Sequence, residues 1–228
     1  MNFTLRSRAV VEFVGTAFLL MAVVGSGIMA ERLCAGNVGL ALLANSFATG
    51  AALVALILAL APISGAHFNP VVTLADAMQG GIAWREVPVY VPAQILGAFC
   101  GVAAAHGMFG LPVFFASHHA RNGSGLLLSE FLATFGLLAV IWGCARVRPS
   151  AVAFAVGAYI AAAYWFTSST SFANPAVTLA RAASDTFAGI RPVDAPAFIV
   201  AQIVGTVVAA LCFRWLALSQ RSSGKEKA

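Results

Sequence analysis

The sequence contains six long apolar runs, and these constrain its fold more than any other feature. Each run has about 20 residues, the length that an α-helix needs to cross the hydrocarbon core of a bilayer. The runs occupy residues 9–30, 39–61, 88–110, 125–145, 151–168 and 195–218. Only 9% of the 228 residues are charged, whereas a soluble domain carries about 25%. The chain is therefore predicted to be an all-α membrane protein with six transmembrane helices.

The amino-terminal run could also be a secretory signal, because Arg6 and Arg8 precede it. It is longer than the apolar core of a typical signal and contains Glu12, so a first transmembrane helix is the preferred interpretation. A cytoplasmic amino terminus places nine basic residues inside: Arg6, Arg8, Arg85, Arg146, Arg148, Arg214, Arg221, Lys225 and Lys227. Four lie outside: Arg32, Arg121, Arg181 and Arg191. Since basic residues favour the cytoplasmic side, both termini are predicted to be cytoplasmic.

Two further apolar segments, residues 69–78 and 174–184, are too short to cross a membrane and are predicted to be re-entrant half-helices. They are related in sequence, because the nine residues from Asn69 match the nine from Asn174 at seven positions. Glu-x-x-x-Thr and Ala-Gln-Ile-x-Gly motifs also recur in the same order. We therefore predict a single domain with two repeats, residues 9–110 and 125–218. Three spans per repeat require the second to be inverted, and such repeats place a solute site at the midplane.

The two Asn-Pro pairs are the candidate centre of this site. One such pair is an ordinary helix start, because asparagine is a good N-cap and proline suits the first helical position. Two pairs in an inverted repeat would face each other, each at the positive end of a helix dipole. The segments before them, 64–68 and 168–173, are predicted to line a pore with backbone carbonyls. The predicted pore centre consists of Asn69, Pro70, Val71, Asn174, Pro175 and Ala176.

Two acidic residues lie within the predicted spans. A carboxylate at a helix centre costs about 2.5–3.5 kcal/mol on insertion scales. Glu12 and Glu130 are equivalent in the two repeats, so we favour a structural role, accepting hydrogen bonds from the re-entrant segments, over a proton relay. Gln94 and Gln202 are predicted to support the same segments or to join helices.

Other functions find little support in the sequence. No cysteine and histidine spacing is typical of a metal site, so no metal is predicted. The basic residues form no stripe with interleaved aromatic residues, which argues against nucleic-acid binding. No nucleophile with a base and an orienting group suggests an enzyme. The adjacent His118 and His119 could bind metal or sense pH, but a role in loop contacts or in a lid is preferred.

The sequence resembles the aquaporin (major intrinsic protein) family over residues 11–215. The segment Ser-Gly-Ala-His-Phe-Asn-Pro-Val, from Ser64 to Val71, is similar to the first family signature, and Asn-Pro-Ala from Asn174 to the second. The resemblance implies the aquaporin fold, a homotetramer in a lipid bilayer with one pore per subunit, and transport of small neutral solutes without a cofactor.

The resemblance also implies a selectivity filter, from which this sequence departs. The family usually has an arginine directly after the second signature, where this chain has Val177. The other filter positions are assigned to Thr49, Ala162 and Ser171, so all four residues are small, uncharged and non-aromatic. Thr178 replaces the aspartate of standard glycerol facilitators. A filter wider than that of water-selective members is therefore expected, with the half-helix dipoles alone left to repel cations.

The substitution of valine for arginine resembles bacterial aquaglyceroporin-like channels linked to arsenic resistance. It implies water, glycerol-type polyols and neutral metalloid hydroxides, such as arsenite or methylated arsenicals, as solutes, and the inner membrane of a bacterium as location. Three alternatives stay open: a channel for water only, a coupled secondary transporter, and a structural membrane protein with a closed pore. Flux measurements in vesicles distinguish these possibilities.

Overall fold

The structure of the protein, a computed structural model, describes residues 3–225, with side chains up to residue 217. Lys227, predicted to be cytoplasmic, lies outside this range. Over these residues the chain forms eight α-helices. They are α1 (Leu5–Leu33), α2 (Val38–Ser64), α3 (Pro70–Gln79), α4 (Val87–Met108), α5 (Ser124–Val147), α6 (Val152–Phe166), α7 (Pro175–Arg181) and α8 (Ala195–Lys225). Short 3₁₀ turns precede α4 and α6.

The six predicted transmembrane helices are confirmed. Six helices, all except α3 and α7, are long and apolar enough to cross a membrane, when α6 is counted with the turn before it. Many large apolar side chains face outward, including Val10, Phe47 and Trp165, each more than half exposed on the isolated chain. A soluble protein rarely exposes so much apolar surface, whereas lipid or a neighbouring subunit would cover it.

Helix ends differ from the prediction where local hydrogen bonds decide them. Helix α1 begins before the apolar run because the side chain of Thr4 accepts a hydrogen bond from Ser7 N at 3.2 Å. Helix α6 ends at Phe166, because Thr167 is extended (φ −109°, ψ 139°). Helix α7 ends at Arg181 rather than at residue 184, because the chain then turns and Ala182 N bonds the carbonyl of Leu179 at 3.2 Å.

The helices of the two halves pack in equivalent pairs. Helix α1 packs on α2 and α4, and α5 packs in the same way on α6 and α8. Each half-helix packs on a long helix of the other half: α3 packs on α8, and α7 packs on α4. Helices α2 and α6 contact each other and close the bundle. This arrangement brings α3 and α7 together between the long helices, as the family resemblance predicts.

Glycines allow the closest approaches between the long helices. A Cβ atom built on Gly97 of α4 would lie 2.2 Å from the carbonyl oxygen of Phe13 in α1. Its counterpart Gly205 in α8 would place a Cβ atom 2.6 Å from the carbonyl oxygen of Phe131 in α5. Both distances are far below van der Waals contact with backbone that has little freedom to move. The α1–α4 and α5–α8 interfaces therefore require glycine at these positions.

Gly97→Ala is expected to separate α1 from α4 and to destabilise the protein by about 1–3 kcal/mol, the usual cost of overpacking. The measurement is thermal unfolding of the purified protein in detergent. Gly107→Ala is the matched control on the same helix, because a Cβ atom there meets nothing within 4 Å. Equal melting temperatures for the two variants would contradict the requirement for glycine at position 97.

Candidate functional site

A cavity of about 530 Å³ runs between the long helices and past both half-helices. Its walls come from α1, α2, α5 and α6, from α3 and α7, and from the extended segments that precede these two. Arg8, His67 and Asp76 line one end, and Arg181 lines the other. We call these the His67 end and the Arg181 end. Most of the wall between them is apolar, with a few polar groups from the half-helices and the extended segments.

Each half-helix begins at an asparagine that lines the cavity. Asn69 Oδ1 accepts a hydrogen bond from Val71 N at 3.1 Å. Asn174 Oδ1 accepts one from Ala176 N at 3.0 Å. A proline follows each asparagine at the first helical position. These side chains act as N-caps, and the starts of α3 and α7, which carry the positive ends of the helix dipoles, belong to helices in contact with each other.

The two asparagine amides also join the halves of the molecule. Asn69 Nδ2 donates to the carbonyl of Ala173 at 2.7 Å, and Asn174 Nδ2 donates to the carbonyl of Phe68 at 2.8 Å. An amide NH₂ group carries two hydrogens. One hydrogen of each amide therefore fixes the opposite segment, and the other has no acceptor among the described residues.

Glu12 holds the extended segment before α3. Its carboxylate is completely buried and accepts hydrogen bonds from the N–H groups of His67 at 3.0 Å and Phe68 at 2.7 Å. Ser64 Oγ donates to it at 2.6 Å, and Gln94 Nε2 at 2.8 Å. Four donors surround this carboxylate, so its burial is compensated by charge-assisted hydrogen bonds. The geometry is that expected for a structural support.

Glu130 does the same for the segment before α7. It is also completely buried and accepts from Phe172 N and Ala173 N, both at 2.9 Å. Gln202 Nε2 donates to Glu130 at 2.6 Å and to Thr178 Oγ1 at 2.9 Å, which fastens α8 to α7. The two acidic residues and the two glutamines thus occupy equivalent places in the two halves.

The supported segments have an unusual backbone. Ala66 and Phe68 have φ values of 52° and 50°, and Ser171 and Ala173 have 50° and 47°. Such left-handed residues cost on the order of 1–3 kcal/mol each and persist only where the surroundings hold them. They lie three and one positions before each capping asparagine. Because this backbone is neither helix nor sheet, its carbonyls are available to line the cavity.

Three of the four predicted filter residues line the cavity, and one does not. Thr49, Ser171 and Val177 are at most 5% exposed and are in the wall. Ser171 Oγ has no hydrogen-bond partner among the described residues. Ala162 is exposed on the outer face of α6 and does not belong to the wall. The assignment of Ala162 to the filter is therefore wrong.

Tyr164 occupies the wall of α6 where Ala162 was predicted. Two residues rotate a helix by about 200°, so Ala162 and Tyr164 lie on opposite faces. The phenol oxygen of Tyr164 lies 3.3 Å from Thr49 Oγ1, at hydrogen-bond distance. The sequence contained a signal, because Val152, Val156, Ile160 and Tyr164 repeat every four residues and all line the cavity. The cavity wall beside the predicted filter residue Thr49 therefore contains an aromatic side chain.

Arg181 also lines the cavity, although the sequence did not reveal this position. It was predicted only as an external basic residue, yet it is 2% exposed and lines the cavity at its end. Its Cζ lies 3.4 Å from the ring centroid of Phe172, and its Nε donates to the carbonyl of Ala188. The chain after α7 folds back to provide that carbonyl. Arg181 follows Val177 by one helical turn on the same side of α7.

The connection between α4 and α5 covers the Arg181 end. Phe115 N bonds the carbonyl of Ala183 at 3.1 Å, which joins this connection to the chain after α7. Asp185 accepts from His118 N and pairs with His118 Nδ1, both at 2.8 Å, and His119 Nε2 lies 3.9 Å from the same carboxylate. The backbone N–H of His118 chiefly lowers the pKa of Asp185, so the carboxylate is ionised at neutral pH. The two histidines therefore make loop contacts, as the sequence favoured.

The His67 end is held by a second group of polar side chains. Arg8 Nε donates to the phenol oxygen of Tyr90 at 2.7 Å, and Tyr90 donates to the carbonyl of Ser64 at 2.8 Å. Arg8 also pairs with Glu86 at 3.0 Å. These bonds connect α1, the start of α4 and the end of α2. No group of three histidine, cysteine, aspartate or glutamate side chains that could hold a metal occurs in residues 3–217.

Comparisons with known proteins agree with this geometry. A family model described as major intrinsic protein matches residues 2–149 and 143–227. The chain is 52% identical over 215 residues to aquaglyceroporin AqpS of Rhizobium meliloti (strain 1021), covering 94% of this chain and 92% of that protein. It is 34% identical to aquaporin NIP1-3 of Oryza sativa subsp. japonica, over 75% of this chain and 62% of that protein. The X-ray structure of the aquaglyceroporin from Plasmodium falciparum superimposes with a TM-score of 0.69 at 24% identity, covering 91% of this chain and 95% of that one.

Proposed function

The chain belongs to the major intrinsic protein family, whose members are membrane channels, and from that premise we propose that it conducts both water and larger neutral solutes. The proposed solutes are water, glycerol-type polyols and neutral metalloid hydroxides such as arsenite or methylated arsenicals. One observation carries the proposal: the cavity has the uncharged, branched side chain of Val177 directly after the second Asn-Pro-Ala motif. The 52% identity to a protein named an aquaglyceroporin supports it.

The walls near Val177 suit a small polyol. Thr49, Tyr164 and Ser171 contribute hydroxyl groups, whereas Val177 contributes methyl groups. A polyol has a hydroxylated edge and a hydrocarbon edge, so it could bond the hydroxyl groups while its carbons contact Val177. Sites that combine apolar walls with a few placed polar groups select such ligands. Ser171 Oγ, which has no partner among the described residues, is the clearest candidate to bond a passing solute.

The proposal includes an assembly and an orientation. A homotetramer in the inner membrane of a bacterium, with both termini in the cytoplasm, would place the Arg181 end outside. Outward-facing side chains such as Phe47 and Trp165 are available for contact with lipid or with neighbouring subunits. Each subunit would be one domain with its own pore. The repeats 9–110 and 125–218 would form the two halves of that domain.

Stopped-flow measurements on reconstituted vesicles test the proposed solutes. Water, glycerol, urea and arsenite permeabilities are measured in vesicles with the protein and in empty vesicles of the same lipid. We expect the protein to raise water, glycerol and arsenite permeability. An increase for water alone would leave a water channel and refute the wide filter. Accumulation of a solute against its gradient would instead indicate coupled transport, and an absence of all flux would indicate a closed pore.

A further inference from the structure

We propose that Arg181 excludes cations from this channel and thereby sets its charge selectivity from a position one helical turn beyond Val177. The inference rests on the channel function, but it concerns ions rather than the neutral solutes. It revises the expectation from the sequence that the half-helix dipoles alone repel cations.

The position of Arg181 in the pore wall is the first argument. Helix α7 rises about 1.5 Å per residue, so Arg181 lies about 6 Å from Val177 towards the Arg181 end. Four residues turn a helix by about 400°, so both side chains have nearly the same direction, and both line the cavity. Phe172, whose ring stacks on the guanidinium, also lines the cavity. A solute that enters or leaves the cavity through the Arg181 end therefore passes Arg181 and Phe172.

The charge of this end is the second argument. Among the described residues, Arg181 and Arg121 form no salt bridge. Arg121 donates to the carbonyls of Gly189 at 2.7 Å and Ser169 at 3.2 Å, and its Cζ lies 5.0 Å from the same Phe172 ring. Carbonyl oxygens and an aromatic face stabilise a guanidinium without neutralising it. Two positive charges therefore flank one ring at the Arg181 end.

A buried acidic residue that interacts with both arginines does not cancel these charges. Glu130 acts on both arginines through space. Its oxygen atoms accept hydrogen bonds from Phe172 N, Ala173 N and Gln202, and it forms no ion pair with any of the described residues. An arginine guanidinium keeps its proton in proteins, so Arg181 carries a positive charge. In a buried site such a charge is screened less than at a surface, so it repels hydronium and metal cations in the adjacent cavity.

A purely structural role is the competing explanation, because Arg181 also holds the chain after α7 through Ala188. The two roles are separable. Arg181→Met keeps an unbranched side chain that can stack on Phe172, and replacement of a buried ion by a hydrophobic residue is often tolerated. Arg181→Lys keeps the charge and changes the hydrogen bonding. Arg191→Met removes an arginine from the chain after α7 that pairs with Asp194 and does not line the cavity.

The experiment measures proton flux with an enclosed pH dye, in vesicles made permeable to potassium with valinomycin. Osmotic water permeability of the same vesicles reports the amount of active channel. We expect Arg181→Met to raise the ratio of proton flux to water permeability about tenfold, as removal of a charge a few ångströms from the path predicts. Arg181→Lys and Arg191→Met should stay near the wild-type ratio.

Two results would overturn the proposal. One is an unchanged ratio in Arg181→Met that still conducts water, or in Arg181→Gln if the methionine variant does not reconstitute. The other needs no variant: a wild-type channel whose vesicles leak protons well above empty vesicles has no effective cation barrier. In either case continued water flux would leave the channel function intact, whereas an absence of all flux would refute the channel function itself.

Discussion

Glu12→Ala is expected to destabilise the protein by several kcal/mol and to abolish solute flux. The substitution removes a buried acceptor of four hydrogen bonds, two of them from the backbone N–H groups of His67 and Phe68. Each buried donor that loses its partner costs about 1–3 kcal/mol. The left-handed residues Ala66 and Phe68 would then lose the contacts that hold them, and the segment before Asn69 would no longer line the cavity in one conformation.

The measurements are thermal unfolding in detergent and glycerol flux in vesicles. Glu31→Ala is the control, because Glu31 is exposed on the same helix. Glu130→Ala should act in the same direction but somewhat less, since Glu130 accepts three such bonds. If Glu12→Ala unfolds and conducts like Glu31→Ala, the carboxylate does not support the segment, and a proton relay would become the better explanation for it.

The fold could be predicted from the sequence because lipid imposes a simple rule. A chain with few charges and six apolar runs of about 20 residues can satisfy its backbone in a bilayer only as helices. The repeated Asn-Pro segments then required two half-helices, and the structure has both. Helix ends were less predictable, since single hydrogen bonds decide them. The side chain of Thr4 extends α1 by four residues, and the turn after Arg181 shortens α7.

The positions of the predicted filter residues could be inferred only where they lie close in sequence to an Asn-Pro motif. Ser171 and Val177 lie within three residues of Asn174, so counting along the sequence places them in the wall. Ala162 is separated from Asn174 by the end of α6 and an extended segment, and an error of two residues there moves a side chain to the opposite face. Arg181 was missed for another reason, because its burial depends on residues 182–194 folding back over it.

Val177→Arg is expected to lower glycerol and arsenite permeability about tenfold or more and to lower water permeability less. Val177 is 5% exposed and lines the cavity. An arginine there adds both volume and donors to the cavity wall that Thr49 and Ser171 also line. Water needs little space and can exchange bonds with a guanidinium, whereas a polyol would lose its contact with the valine methyl groups. Stopped-flow permeabilities of the variant and the wild type are the measurement.

Val177→Met separates volume from charge in this prediction, because methionine is unbranched and uncharged. If it lowers polyol flux as much as arginine does, size alone sets the filter. Equal losses for water and glycerol in Val177→Arg would place the constriction elsewhere, with Tyr164 the next candidate.

The same substitution also tests whether a positive charge at position 177 can replace the one at position 181. Val177→Arg places a second guanidinium one turn from Arg181, and like charges at this spacing destabilise a helix. In the double variant Val177→Arg with Arg181→Met, one of these two guanidinium groups remains, about 6 Å inward of position 181. We expect the double variant to melt at a higher temperature than Val177→Arg, to exclude protons like the wild type and to conduct water in preference to glycerol. A double variant that still conducts glycerol like the wild type would show that the residue at position 177 does not control solute size.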